Sequence, residues 1–322
     1  MLCILYVIAL GIGLGGVGLL VERALPARWP RRWVWCVVIA LSMIVPGVNR
    51  AHHTVAVAAA PGGLTAPGTL SPLDPAWWAA TASYDALIGR VSLLSSAGLL
   101  AWGILSAAWV AHLSRRAGGP HAARGPAVVD GVPVLVTDRI GPATVGILRP
   151  RVLLPWWVLA LPDVQRRYIV HHEEEHRRAH DARLLGVASV ALLVTPWNLA
   201  LWWHLRRLHL AVETDCDRRV VRALGNATAY GTLLLRVAES ASRGPRLQPA
   251  FLGRVGMLER RLMALQRPTT RAGLPRLLLP LLACGLLAGL LSVPHPVAAH
   301  SSAAHTGTGM PAFTSRSRPT LP

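Results

Sequence analysis

A chain of 322 residues that is 52% hydrophobic and only 15% charged is too apolar for an ordinary soluble protein of its size. Its formal net charge of +18 would suit nucleic acid, but no nucleic-acid-binding motif accompanies it, and direct nucleic-acid binding is not expected. The cysteines, Cys3, Cys36, Cys216 and Cys284, suggest neither a disulfide framework nor a thiolate zinc site.

About 20 apolar residues are needed to cross a bilayer core of roughly 30 Å. Three segments read that way, Leu2 to Val21, Trp33 to Val48 and Val91 to Leu113, with a fourth from Leu277 to Val293. The first carries its charges after the apolar run, at Glu22, Arg23, Arg28, Arg31 and Arg32, the reverse of a secretory signal peptide. It is expected to stay in the membrane. Basic residues gather in cytoplasmic loops. All 33 basic residues are arginine, and 29 of them fall in two stretches, 22–32 and 114–276. The expected topology is therefore a multi-pass chain with its N-terminus outside. Residues 1–113 form a membrane region of three transmembrane helices with an external loop at 49–86. Residues 114–276 form a cytoplasmic domain, 277–293 a fourth transmembrane helix, and 294–322 a short, disordered external tail. An arginine-rich inner domain also lies favourably against anionic membrane lipid.

Within the inner domain, 117–126 reads as a linker. Two β-like runs follow, 132–136 and 143–154, punctuated by Gly141, Pro142 and Pro150. Leu161-Pro162-Asp163 is a helix start, and DVQRRYIVHHEEEHRRAHDARLL then runs on without a breaker. The charge-free run from Leu184 to Trp203 is long enough for a fifth span. Inside it, Thr195-Pro196 forms an N-cap and N1 pair for a second helix that ends at Gly225.

Residues 171–181, HHEEEHRRAHD, carry the chemistry. Positions i and i+4 share a helix face, so His172 and His176 aim two imidazoles at one point with Glu173 beside them. That is the content of H-E-x-x-H: two zinc ligands and a general base. A catalytic zinc takes a third protein ligand and keeps one place for water. Glu213 is that candidate, in E-T-D-C-D. Asp217 shares its face and is expected to accept the free ring N–H of His172, whereas Asp215 points away. His171 lies off the face, His180 is too far along the axis to share a metal with both histidines, and Asp181 ends or braces the helix. Thirteen histidines leave room for a chance motif or a solvated charge cluster, but E-x-x-x-D one hairpin downstream argues against coincidence. If the apolar run crossed the membrane once, Glu213 would lie across the bilayer from the imidazoles. The run must therefore be a core helix pair or a hydrophobic hairpin at 184–208 that dips into the bilayer. Trp197, Trp202 and Trp203 suit an interface.

These features resemble the BlaR/MecR-type membrane zinc metallopeptidases, signal-transducing gluzincins. The resemblance rests on the span arrangement, G-I-L-R-P-R-V-L-L-P at 146–155, HEEEH with Asp181, Trp197-Asn198, Glu213 with Cys216-Asp217, and L-E-R-R-L at 258–262. It implies a mainly α, polytopic protein of a bacterial plasma membrane, with a small α+β gluzincin-type peptidase domain facing the cytoplasm. It also implies a zinc cofactor held by His172, His176 and Glu213, with Glu173 as catalytic acid/base. The implied partner is a protein substrate, a BlaI/MecI-type transcriptional repressor lost on activation; a homodimer is compatible with the resemblance. The family has apolar or small residues where Glu174 and Glu175 stand, which suggests a wetter helix back, and proline where Leu199 stands. Residues 294–322 are too short for the penicillin-binding sensor domain, so β-lactam sensing by this chain alone is not expected.

The expected reaction is peptide-bond hydrolysis, with Glu173 moving a proton from water to the leaving amine. An extended substrate would add to the strand edge at Ala143, Thr144, Val145 and Gly146, unless that strand is purely structural. Arg206, His209 and Tyr230 are open candidates for the oxyanion partner. Two other readings remain: a membrane-protein quality-control or CAAX-type protease, and a non-enzymatic membrane receptor.

Overall fold

The structure is a computed structural model that describes residues 2–26, 29–59, 75–115, 127–137, 141–242, 254–266 and 274–292. The linker at 117–126 and the tail at 294–322 lie outside these residues. The described residues are mainly helical with a small sheet. Apolar helices α1 (Leu2–Ala24), α2 (Arg32–Ala59) and α3 (Pro75–Arg115) come first. Strands β1 (Ala127–Val129), β2 (Val132–Thr137), β3 (Ala143–Val145) and β4 (Arg151–Pro155) follow, then α4 (Trp156–Leu159), α5 (Asp163–Arg178), α6 (Asp181–Val194), α7 (Leu199–Leu224), α8 (Ala227–Ser242), α9 (Arg254–Gln266) and α10 (Leu274–Leu291). Among the described residues, two helices are long and apolar enough to cross a membrane, Cys3–Ala24 and Ala86–Trp109; Arg32–Val48 and Leu278–Leu291 are shorter apolar helices. Helices α2 and α3 both reach into the 49–86 stretch that reads as a loop from sequence.

Helix α1 packs against α2, α7 and α10. Its small residues allow this closeness: a methyl group on Gly13 would lie 2.6 Å from Leu290, and one on Gly15 would run into the Trp203 ring. Around this contact an apolar core gathers Leu10, Leu14, Trp35, Val38, Leu192, Leu201, Leu205 and Leu208. A second core joins the sheet to the rest, through Val134, Val152, Leu154, Tyr168, Ile169, Val170, Val220 and Tyr230. Helix α7 serves both. Its first half packs in the apolar-helix core and its second half in the sheet core, a reach of about 39 Å at 1.5 Å per residue.

The sheet order is β1-β2-β4-β3, with β2 and β4 parallel and β3 antiparallel to β4. The apolar run at 143–154 is therefore not one strand. It folds into a hairpin at Gly146, which adopts φ +101, and β3 is left on a sheet edge. A methyl group at Gly146 would sit 2.7 Å from the Arg149 carbonyl oxygen, so Gly146→Ala is expected to destabilise the protein by more than ~1 kcal/mol, measured by thermal unfolding.

Two helix boundaries differ from the sequence reading. The run after Asp163 breaks at His180, which is left-handed at φ 53, and α6 begins at Asp181. Helix α7 begins after Asn198, whose side chain accepts from the Leu201 amide at 3.2 Å. Thr195-Pro196 lies in the preceding turn, because Asn198 supplies the cap three residues later. The turn folds α7 back along α6, so Glu213 returns to the side that holds α5.

Candidate metal centre

Helix α5 buries Tyr168, Ile169 and Val170 against the sheet core, which turns its 172–176 face toward α7. The two imidazoles meet edge to face, at an interplanar angle of 88°, with their Nε2 atoms 3.2 Å apart. The Glu213 carboxylate faces both: Oε2 is 3.7 Å from His172 Nε2, and Oε1 is 3.7 Å from His176 Nε2. Zinc bonds of 2.0–2.2 Å to nitrogen and oxygen imply tetrahedral ligand–ligand edges of roughly 3.3–3.6 Å. The three donors are spaced to suit such an ion.

The remaining ring nitrogens are engaged. His176 Nδ1 lies 2.8 Å from Asp181 Oδ2. His172 Nδ1 lies 2.9 Å from the Tyr230 hydroxyl, which donates to Asp217 Oδ1 at 2.7 Å. With a proton on each Nδ1, both Nε2 lone pairs are free and converge. Asp217, expected to take the His172 proton directly, is 3.5 Å from Nδ1, and Tyr230 bridges the two. Tyr230 is thus committed behind His172. Burial and the Asp217 carboxylate push its phenol up, so it remains a donor. Tyr230→Phe is expected to weaken metal binding about 10–100-fold, measured by competition with a chelator.

Arg261 from α9 closes the cluster. Its Nη1 is 2.9 Å from Glu213 Oε2, and its Nη2 and Nε are 2.7 and 2.8 Å from the two Asp217 oxygens. Burial favours the neutral form of Glu213, but Arg261 and the two imidazoles outweigh it and hold the carboxyl well below its ordinary range. Cys216 also faces the site, its Sγ 3.3 Å from His172 Nδ1. His172, His176 and Cys216 form a second possible donor set, within 4.8 Å of one another. Burial raises the thiol, yet the two imidazoles together lower it.

The surroundings demand positive charge between the rings. Burial opposes charge on His172, but Cys216 and Glu213 overcome it and push the imidazole up to about 10. His176 is raised in the same way, with Asp181 contributing. A divalent cation answers the same demand as protons, so the two compete. Metal affinity is expected to fall as pH drops below about 10, by about tenfold per unit for each proton displaced. A chelator titration across pH checks this; a flat profile would contradict it.

Glu173 is buried, and its Oε2 accepts from the Thr144 hydroxyl at 3.1 Å, which also bonds the Glu173 carbonyl at 2.7 Å. β3 therefore rides on α5 beside the two imidazoles. The helix back is not wet: Glu174 is 3% exposed and pairs with Arg177 at 2.6 Å and Arg178 at 2.8 Å. His171 Nε2 lies 3.9 Å from Glu175, and His180 is exposed. Arg206 is exposed, and His209 Nδ1 is 3.3 Å from the Leu205 carbonyl oxygen.

The sequence reading gave Arg261 and Cys216 no role. Glu213 and Asp217 share a face with no cation beside it on α7, and that deficit was the available sign of a basic partner from elsewhere. No curated protein matches the sequence. Residues 131–265 match the model of a peptidase family described as BlaR1 peptidase M56. The matched segment holds His172, His176, Glu213, Cys216, Asp217, Tyr230 and Arg261, and it supports a BlaR1-type peptidase domain over that part of the chain.

Proposed function

We propose that the chain is an integral-membrane zinc endopeptidase that transduces a signal by cleaving a cytoplasmic protein, with a BlaI/MecI-type repressor as substrate. The carrying observation is the convergence of His172 Nε2, His176 Nε2 and the Glu213 carboxylate at 3.2–3.7 Å. Glu213 is the third ligand rather than Cys216. It faces both Nε2 atoms, whereas the sulfur, which also lies within reach of His176, makes its 3.3 Å contact with His172 Nδ1, the nitrogen that Tyr230 already engages.

Zinc, when bound, acts as a Lewis acid and lowers the pKa of water to about 7. Glu173 takes a proton from the attacking water and returns it to the leaving amine. The Thr144 hydroxyl holds one carboxylate oxygen of Glu173 and leaves the other for that transfer. The substrate extends along the edge of β3, at Ala143, Thr144, Val145 and Gly146, adding a strand to the sheet. Tyr230 keeps His172 in the tautomer that presents Nε2.

Four spans cross the bilayer, α1, α2, α3 and α10, with the peptidase domain at 114–276 inside. The backbone amides of Arg31 and Arg32, in the arginine-rich 22–32 stretch, donate to Asp215 of α7. Those bonds support a shared side for that stretch and the metal centre, and the arginine bias supports reading that side as cytoplasmic. The 184–208 hairpin packs with α1 and α2 through Leu192, Leu201 and Leu205 and enters the inner leaflet beside them. The test is to purify the protein in detergent and measure zinc content and cleavage of a co-expressed repressor, before and after chelation. About one zinc per chain and chelator-sensitive cleavage are expected. A metal-free chain, or cleavage indifferent to chelator, would refute the reading.

A further inference from the structure

Buried charges fasten the metal-facing helices to the start of α2. Arg32, the first residue of that helix, is 8% exposed and donates from Nη1 to Asp181 Oδ1 at 2.5 Å. The other oxygen of the same carboxylate, Oδ2, is the one 2.8 Å from His176 Nδ1. A single buried carboxylate, 2% exposed, thus joins a residue of α2 to an imidazole of the metal centre. Arg219 of α7 approaches Asp181 only to 3.8 Å, which leaves Arg32 as its near cation.

The backbone is tied at the same place. A helix begins with amides that lack partners within the helix. At the start of α2, the Arg31 and Arg32 amides donate to the two oxygens of Asp215, at 3.2 and 3.0 Å. Asp215 lies two residues from Glu213 on α7 and also pairs with Arg218. Further along, Glu22 of α1 accepts from Arg207 of α7 at 2.5 Å and from the Trp35 indole of α2 at 3.0 Å. The α1–α2 region is thus pinned to α7 through Asp215, which the Arg32 side chain also approaches at 3.6 Å, and through Glu22, and Arg32 links it toward α5 through Asp181.

We infer that Arg32 is a positioning residue for the metal centre: through Asp181 it sets the orientation of His176, so that a displacement of α2 reaches the site. The inference rests on the reading of His176 as a metal ligand. A carboxylate behind a ligating imidazole fixes both its tautomer and its ring plane, and Asp181 can do so only while its own position is held. Arg32 holds it with a charge-assisted hydrogen bond in a buried setting. Movement of α2 along or around its axis would shift Arg32 and carry Asp181 with it, changing how His176 presents Nε2.

The test uses the full chain in detergent, with zinc affinity read by chelator competition and site geometry by the visible spectrum of the cobalt-substituted protein. Arg32→Ala is expected to weaken zinc binding about 10–100-fold and to alter the cobalt spectrum. Arg32→Lys, which can still reach Asp181 with one charge, should recover most of the affinity. Asp181→Asn, close in size and still able to accept, should weaken binding too, and the Arg32→Ala/Asp181→Asn double variant should lose no more than the worse single one. If Arg32→Ala does not fold, Arg32→Lys and Asp181→Asn carry the comparison. Wild-type affinity and an unchanged cobalt spectrum in these variants, with only a lower unfolding temperature, would overturn the inference. His176→Ala separates the two levels. Lost zinc there with wild-type affinity in the Arg32 and Asp181 variants overturns only the positioning role, while retained zinc in His176→Ala overturns the ligand reading itself.

Discussion

Replacing Glu173 by alanine is expected to leave zinc in place and lower kcat by about 10²–10⁴-fold. The two effects separate because Glu173 contributes no donor to the convergent set; His172, His176 and Glu213 supply those. Its carboxylate accepts from Thr144, but that hydroxyl keeps its 2.7 Å bond to the residue 173 carbonyl oxygen when the side chain is removed, and among the described residues the change breaks no ion pair. Folding should survive, with a modest cost from losing the longer of the two Thr144 contacts. Glu173→Gln keeps the Thr144 hydrogen bond and cannot accept the proton, so it should be as inactive as alanine and more stable. Zinc content and single-turnover cleavage, measured on both variants, decide this. Undiminished cleavage in either would remove Glu173 from the mechanism and favour a structural metal site.

The largest stability effect is expected at Arg261. Its guanidinium pairs with Glu213 at 2.9 Å and grips both oxygens of Asp217, with a side chain only 15% exposed. Removing one partner of a buried ion pair leaves the other charge unmet, at about 3–5 kcal/mol. Arg261→Ala should destabilise by that order. It should also let the Glu213 carboxyl rise toward its ordinary range, because the largest influence opposing its burial is gone. Metal binding would then weaken at mildly acid pH, where Glu213 begins to take up a proton. Arg261→Lys offers one charge without the fork and should fall between wild type and alanine. Denaturant unfolding with and without zinc measures the effect. Unchanged stability in Arg261→Ala would mean that the two carboxylates find compensation elsewhere.

The parts of this site that were legible in the sequence are the local ones. His172 with His176, and Glu213 with Asp217, sit at i and i+4, and helical geometry alone places each pair on one face. The hairpin followed from a global constraint, since a single crossing would have separated the two pairs. What escaped were contacts between distant positions. Arg261 meets Asp217 across 44 residues, Tyr230 meets His172 across 58, and Arg32 meets Asp181 across 149. Periodicity carries no information about which remote arginine fills a charge deficit. The β3–β4 hairpin was hidden for another reason: an apolar run shows continuity, whereas the reversal depends on the positive φ of one residue, Gly146. The start of α7 was displaced because Thr195-Pro196 and Asn198 both carry start signals, and the Leu201 amide went to Asn198.

The choice between a carboxylate and a thiolate as third ligand tests the proposal most directly, and X-ray absorption at the zinc edge reads it without substitution. With His172, His176 and Glu213 as ligands, the inner sphere should contain only nitrogen and oxygen at about 2.0–2.2 Å, two of them imidazole. A sulfur at about 2.3 Å would hand the third position to Cys216 and contradict the catalytic arrangement described above.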